Sequence, residues 1–190
     1  MTRLKTLHRW VGLLIGLQVL TWLLSGLVIS LLDPLKVSGR QWANPEQSVV
    51  RPLGGDVLLE PHELPAGLTA GANSISLANT RGKHFYRIRR DGNETLVDAM
   101  DATIKTTSKA EAEIIARRDF TGAGDVTSIE RGRAPDMETR SDIGEYWKVS
   151  FSDQANTTLY LSVATGEILE RGNSYWRLRD FFWMLHIMDY

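Results

Sequence analysis

The stretch Thr158-Leu-Tyr-Leu-Ser-Val-Ala-Thr-Gly-Glu-Ile-Leu169 reads as one strand, a turn and the start of a second strand. Side chains alternate along an extended chain, so Leu159, Leu161 and Val163 share a face. Ala164-Thr-Gly-Glu167 supplies turn chemistry, because glycine takes up positive φ without a steric penalty. Just upstream, Trp147, Val149 and Phe151 alternate in the same way, and Val126 to Arg131 reads as a weaker neighbouring strand. The pattern predicts an antiparallel sheet with one buried face. Its cover is predicted nearby. Ser108 and Glu111 fit a capping box, and Ala112, Ile114, Ile115 and Ala116 give the following helix an apolar side that ends by Thr121-Gly-Ala-Gly124.

Working back toward the N-terminus, the pattern repeats. Ile75 and Leu77 alternate with polar residues, and Phe85–Arg90 and Thr95–Met100 read as strands joined by the turn Asp91-Gly92-Asn93. Tyr86-Arg-Ile-Arg, Thr95-Leu-Val-Asp-Ala and Ile104 echo Trp147-Lys-Val-Ser, Thr158-Leu-Tyr-Leu-Ser-Val and Ile168. The expected fold class is therefore α+β, with an antiparallel-sheet domain built as a tandem duplication of a helix-plus-strands unit over residues 72–106 and 107–172. Residues 33–71 precede it as a linker broken by Pro34, Pro45, Pro52, Pro61 and Pro65, with a short helix predicted over Asp56–Leu64.

The first 32 residues are different in kind. Trp10–Leu32 contains no charged side chain over 23 residues. As a helix it is about 34 Å long, enough for a hydrocarbon core of about 30 Å. Arg3, Lys5 and Arg9 precede it and Asp33 follows, so residues 1–9 are expected in the cytoplasm and the sheet domain on the other side. A cleaved signal peptide has a shorter apolar region and a small-residue cleavage motif, so an uncleaved anchor is expected. Gly12 and Gly16, then Gly26 and Ser30, repeat at four-residue spacing that suits close approach of another helix, and Gln18 and Thr21 offer polar contacts across such a pair. Besides membrane lipid, the expected partner is another membrane protein or a second protomer. Residues 173–190 bring Trp176, Trp183, Tyr190, Arg177 and Arg179 to a short apolar run, Phe181–Met188, read as an interfacial helix or as a second membrane segment cut short.

Three of these phrases together resemble the PepSY-associated transmembrane family. Leu161-Ser-Val-Ala-Thr-Gly-Glu-Ile-Leu169 is similar to the V-D-x-x-T-G-E-(I/V) phrase that closes a PepSY domain, although Ser162 stands where the first half has Asp98. Leu7-His8-Arg9-Trp10-Val-Gly-Leu-Leu-Ile-Gly16 is similar to the first membrane segment of that family, and Leu185-His186 to the start of its returning helix. The resemblance implies a bacterial inner-membrane protein with a periplasmic domain that binds or regulates a partner. It also implies two alternatives: a haem-bearing electron-transfer subunit of a ferric-siderophore-type reductase, with His8 and His186 as candidate b-type haem ligands that lie near opposite membrane edges and would each need a second ligand from another helix, protomer or subunit, and a membrane-tethered peptidase inhibitor.

Composition narrows the rest. With 22 Lys+Arg against 23 Asp+Glu there is no basic excess to suggest nucleic acid. The chain has no cysteine, which excludes disulfides and thiolate metal sites. No zinc-protease, phosphate-loop, nucleophile-elbow or dinucleotide motif is present. His62 and His84 lack metal-ligand spacing and are expected at the surface, as are the carboxylate pairs Asp98/Asp101 and Glu111/Glu113. No catalytic residue and no metal ligand is assigned, and no self-contained catalytic activity is expected.

Overall fold

The computed structural model describes residues 2–45, 57–80, 83–91, 93–135, 139 and 144–187. The fold is α+β, with one long apolar N-terminal helix and two four-stranded antiparallel sheets. Two compact units emerge, Met1–Gln41 with Asn173–Tyr190, and Trp42–Gly172.

The first unit is helical. Helix α1, Thr2–Leu31, starts well before the uncharged run, so His8 and the basic residues around it are helical too. Asp33 then caps the four-residue helix α2, Pro34–Val37, by accepting from the Leu35 N–H, with proline pre-set at its first position. Helix α5, Ser174–Ile187, packs against α1. Its cap is Asn173, which is fully buried: Oδ1 accepts from the Trp176 N–H at 2.8 Å while Nδ2 donates to the Lys36 carbonyl at 3.0 Å. Because α5 begins against Lys36 and has His186 against Trp22, it runs antiparallel to α1. It is thus a returning helix lying along α1. Met188 and Tyr190 lie outside the described residues.

The second unit contains both sheets. The first has the order β1 (Ser74–Thr80), β2 (Lys83–Arg90), β3 (Asn93–Asp98), β4 (Ile104–Lys105), each neighbour antiparallel. Its core is Leu64, Tyr86, Ile88, Val97 and Ala99, with Leu58, Leu59 and Leu68 packed against it. The helix predicted over Asp56–Leu64 shrinks to a 3₁₀ turn at Pro61–Glu63, because Pro65 forces Leu64 into extended backbone; α3, Ala66–Thr69, follows that proline. Asp56 lies outside the described residues, as does Gly92 of the predicted hairpin turn.

Helix α4, Lys109–Asp119, opens with the predicted capping box, since Ser108 Oγ accepts from the Glu111 N–H and Glu111 reaches back to the Ser108 N–H. It lies on the second sheet, β5 (Val126–Arg133), β6 (Glu145–Phe151), β7 (Thr158–Ser162), β8 (Ile168–Gly172). Ala112, Ile115, Ala116 and Phe120 meet Val149, Phe151, Leu159 and Leu161. Burying one such aliphatic side chain is worth about 1.5–3 kcal/mol. Ile114, counted in the predicted apolar side, points outward and is 57% exposed, because it lies about 100° around the helix from Ile115. The expectation of a single buried face is also corrected. Every residue of β7 is buried, because the face away from α4 carries a second cluster of Ala134, Tyr146 and Tyr160.

The two sheets repeat each other in register. Tyr86 pairs with Val97 and Val97 with Ile104; Trp147 pairs with Leu161 and Leu161 with Ile168. The turns after β3 and β7 share their backbone hydrogen bonds and differ by one position in the side-chain bond of their first residue. Asp98 and Ser162 each accept with the backbone carbonyl from the residue four positions on, Ala102 and Gly166, at 3.0 and 2.8 Å. Asp98 Oδ1 and Ser162 Oγ accept from turn N–H groups of Met100 and Thr165. Asp101 Oδ1 and Thr165 side-chain oxygen accept from the N–H two residues on, at 2.9 and 3.1 Å. Ala102 and Gly166 both adopt left-handed backbone, with φ of 57° and 66°. The requirement is a short oxygen acceptor at the first and fourth positions and a residue tolerant of positive φ at the fifth.

Candidate functional site

Within the helical unit, the residues shielded along α1 are Gln18, Thr21, Ser25, Gly26, Val28 and Ile29. Their three- and four-residue spacing is one helix face, and it gathers three polar members of the apolar run, Gln18, Thr21 and Ser25, while Ser30 is exposed. Ser25 is almost completely buried at 1% exposure. His186 of α5 fills the space beside it, its ring stacked on Trp22 at 5.0 Å between centroids and 14° between planes. Nδ1 lies 3.1 Å from the Trp22 carbonyl and 3.2 Å from Ser25 Oγ, which itself donates to that carbonyl at 2.9 Å. A carbonyl only accepts, so Nδ1 is the donor in this contact. Gly26 makes the approach: a Cβ there would sit 3.0 Å from His186 Cε1.

Among the described residues the remaining predicted helix-packing residues make no hydrogen bond to α5. Thr21 Oγ1 donates to the Leu17 carbonyl and Ser30 Oγ to the Leu27 carbonyl, both within α1. Among the described residues, Gln18 Nε2 is shielded without a hydrogen-bond partner, and nothing lies within 4 Å of a Cβ built at Gly12 or Gly16. His8 is exposed on α1. It precedes Trp22–Gly26 by 14 to 18 residues, which puts it about 21–27 Å from His186 along the helix. The two histidines therefore do not fit one haem within this chain. His186 lies beside Trp22 and Gly26, since α5 runs back to the middle of Trp10–Leu32.

In the sheet unit, a cleft of about 820 Å³ is lined by Arg89, Glu94 and Lys105 of the first sheet and Arg131, Arg133 and Glu145 of the second. Arg131 donates to Glu145 at 2.7 Å, and this hydrogen bond with its charge holds the Glu145 carboxyl below the usual carboxylate range. Arg87 joins the sheets by pairing with Glu167 while its Nε lies 3.2 Å from Glu94. Asp101 is also held low, by hydrogen bonds from Thr103, and serves the turn. Among the described residues no group of three His, Cys, Asp or Glu could hold a metal.

Comparison with family models, with curated proteins and with solved structures returned no match. Function is therefore argued from the geometry.

His62 is exposed and paired with Glu60, as expected of a surface residue. His84 is not. It is 6% exposed on β2, with Nδ1 3.4 Å from Asn79 Nδ2, because the strand is buried on both faces from His84 to Tyr86. Two further residues escaped sequence reasoning. Asn173 looked like loop polarity although an Asn before an apolar run is a cap signal. Asp119 is 4% exposed in its side chain and makes a two-pronged ion pair with Arg171 of β8. Nothing local in the sequence links those two.

Proposed function

We propose that this chain is a membrane-anchored, non-catalytic PepSY-type protein of the bacterial inner membrane. Its N-terminus lies in the cytoplasm, and residues 42–172 bind or regulate a partner on the periplasmic side. The observation that carries the anchor is α1: it is long and apolar enough to cross a membrane, yet its leucines from Leu4 to Leu31 stand largely exposed. Such a surface is unfavourable in water at about 25 cal/mol per Å², a cost that lipid removes. Arg3, Lys5 and Arg9 against Asp33 favour the stated orientation.

Two features favour a partner within the membrane. Among the described residues the Gln18 amide has a donor without an acceptor, a costly state in hydrocarbon, and Gly12 and Gly16 leave a flat open face. The paired turns support the PepSY reading, since Thr165-Gly166-Glu167 folds with the same backbone pattern as Asp101-Ala102-Thr103 in the first half. The test is purification from native membranes in mild detergent. A second membrane protein should accompany the native chain in fixed ratio and be lost on Gly12→Leu with Gly16→Leu; a chain that purifies alone contradicts the reading.

One observation favours the electron-transfer alternative. Fixing Nδ1 on a backbone carbonyl is how a protein orients an imidazole whose Nε2 ligates a metal. Because His8 is out of reach, a haem would need its second ligand from another chain. A Soret band lost on His186→Ala would support this reading, and a colourless preparation after growth with ample haem would remove it.

A further inference from the structure

Helix α5 is pinned along α1 at both ends. Asn173 Nδ2 donates to the Lys36 carbonyl of α2 at 3.0 Å, just beyond the end of α1. His186 packs on Trp22, Ser25 and Gly26, in the middle of the uncharged run of α1. Two helices rise equally per residue, so the antiparallel register can be counted from His186. Phe181 then lies level with about Ile29, Arg179 with about Leu31 and Ile187 with about Leu23.

That register brings two independent charge boundaries side by side. On α1 the uncharged run ends at Leu32, with Asp33 next. On α5 the charged residues Arg177, Arg179 and Asp180 all precede Phe181, and from Phe181 to Ile187 only His186 is ionisable. The two divisions agree to within one helical turn. Residue types that favour a membrane–water boundary fall on the outer side of both: Lys36 Nζ lies over the Tyr175 ring at 5.7 Å, and Trp176 follows. On the inner side, Phe181 and Ile187 are 51% and 47% exposed, and Leu23 and Leu27 of α1 are exposed too.

We infer that α5 is inserted in the bilayer alongside α1, reaching the middle of the membrane at His186, with lipid acyl chains as the partner of its outward apolar residues. The inference rests on the reading of α1 as the anchor. A helix lying on the membrane surface would cross a spanning α1 at a wide angle, whereas α5 runs back along it from Asn173 to His186. By the same register His186 is about 12 Å inward of Leu32, and the centre of a hydrocarbon core lies about 15 Å down. A polar ring at that depth needs its hydrogen bond made within the protein, and the Trp22 carbonyl accepts from Nδ1. Insertion one turn deeper would carry Asp180 and Arg179 into hydrocarbon, which their charge opposes. Contact and charge therefore set the same depth.

The chain has no native cysteine, so a spin label on one introduced thiol reports one position. The test uses the full-length chain in vesicles of phosphatidylethanolamine and phosphatidylglycerol, carrying Ser174→Cys, Leu23→Cys or Ile187→Cys, each at an exposed position. Collisions with oxygen report hydrocarbon, and collisions with a soluble nickel chelate report water. Ile187→Cys should match Leu23→Cys, open to oxygen and closed to the chelate, while Ser174→Cys should be open to the chelate. A label at Ile187 as open to the chelate as the one at Ser174, with Leu23 still closed, would overturn the insertion and leave the anchor standing. Labels at Leu23 and Ile187 both open to the chelate would remove the anchor, and the insertion with it. A label at Ile187 closed to oxygen as well would show protein, not lipid, on this face and overturn the choice of partner.

Discussion

Ala102 and Gly166 occupy the same place in two copies of one turn, with φ of 57° and 66°. An L-residue with a Cβ pays roughly 1–2 kcal/mol for left-handed backbone, while glycine loses roughly 0.5–1 kcal/mol of chain entropy on folding. Ala102→Gly should therefore stabilise the sheet unit by roughly 0.5–1 kcal/mol, and Gly166→Ala should destabilise it by about as much. Denaturant midpoints measure both, and a loss of stability in Ala102→Gly would contradict the turn geometry. Glu145 gives a second test. Its folded pKa lies below the unfolded value because Arg131 bonds and pairs with it. The contact thus contributes stability that is complete above the ordinary carboxylate pKa and disappears as pH falls through the lower folded value. Arg131→Gln should move the Glu145 carboxyl upward in an NMR titration and remove that part of the acid dependence. An unmoved titration would show that Arg131 is not the cause.

At the level of elements, the hairpins were legible because alternation survives in Trp147, Val149, Phe151, Leu159 and Leu161, and because β-turn residues punctuate them. The second buried face of β7 was not, since Thr158, Tyr160 and Ser162 look like solvent-facing polar positions, yet all three are buried and Tyr160 packs with Tyr146 and Ala134. His84 misled for the same reason: it stands beside Lys83 in a strand rich in arginine, and only the sheet shows it buried. The docking of α5 on α1 was hidden too, because its apolar run is too short to announce a membrane element. Of the candidate helix-packing residues Gly26 meets His186, while Ser25 beside it carries no local signal that separates it from other small polar residues. The tie between α4 and β8 is a long-range feature of this kind. Asp119 ends α4, where the helix dipole opposes a carboxylate, and Arg171 compensates it. Arg171→Met should cost about 3 kcal/mol by leaving Asp119 buried and unpaired, and the double change Asp119→Leu with Arg171→Met should recover much of that. Equal losses in the single and double variants would mean that packing, not charge pairing, matters at this contact.

At the scale of the whole molecule, one chain combines a helix whose surface suits lipid with a charged, twice-repeated sheet unit. Charge asymmetry about α1 sets the proposed orientation, and the returning course of α5 leads the chain back alongside α1 after Gly172. That arrangement is specific about sides. Exposed positions Lys5 and Lys109 lie before α1 and in the sheet unit, and each can carry the only thiol in the molecule. In intact bacteria with a permeable outer membrane, a maleimide that cannot cross the inner membrane should label Lys109→Cys at once. It should label Lys5→Cys only after the inner membrane is opened. Labelling of both before opening, or of Lys5→Cys alone, would contradict the account of a cytoplasmic N-terminus and a periplasmic sheet unit joined by one membrane-crossing helix.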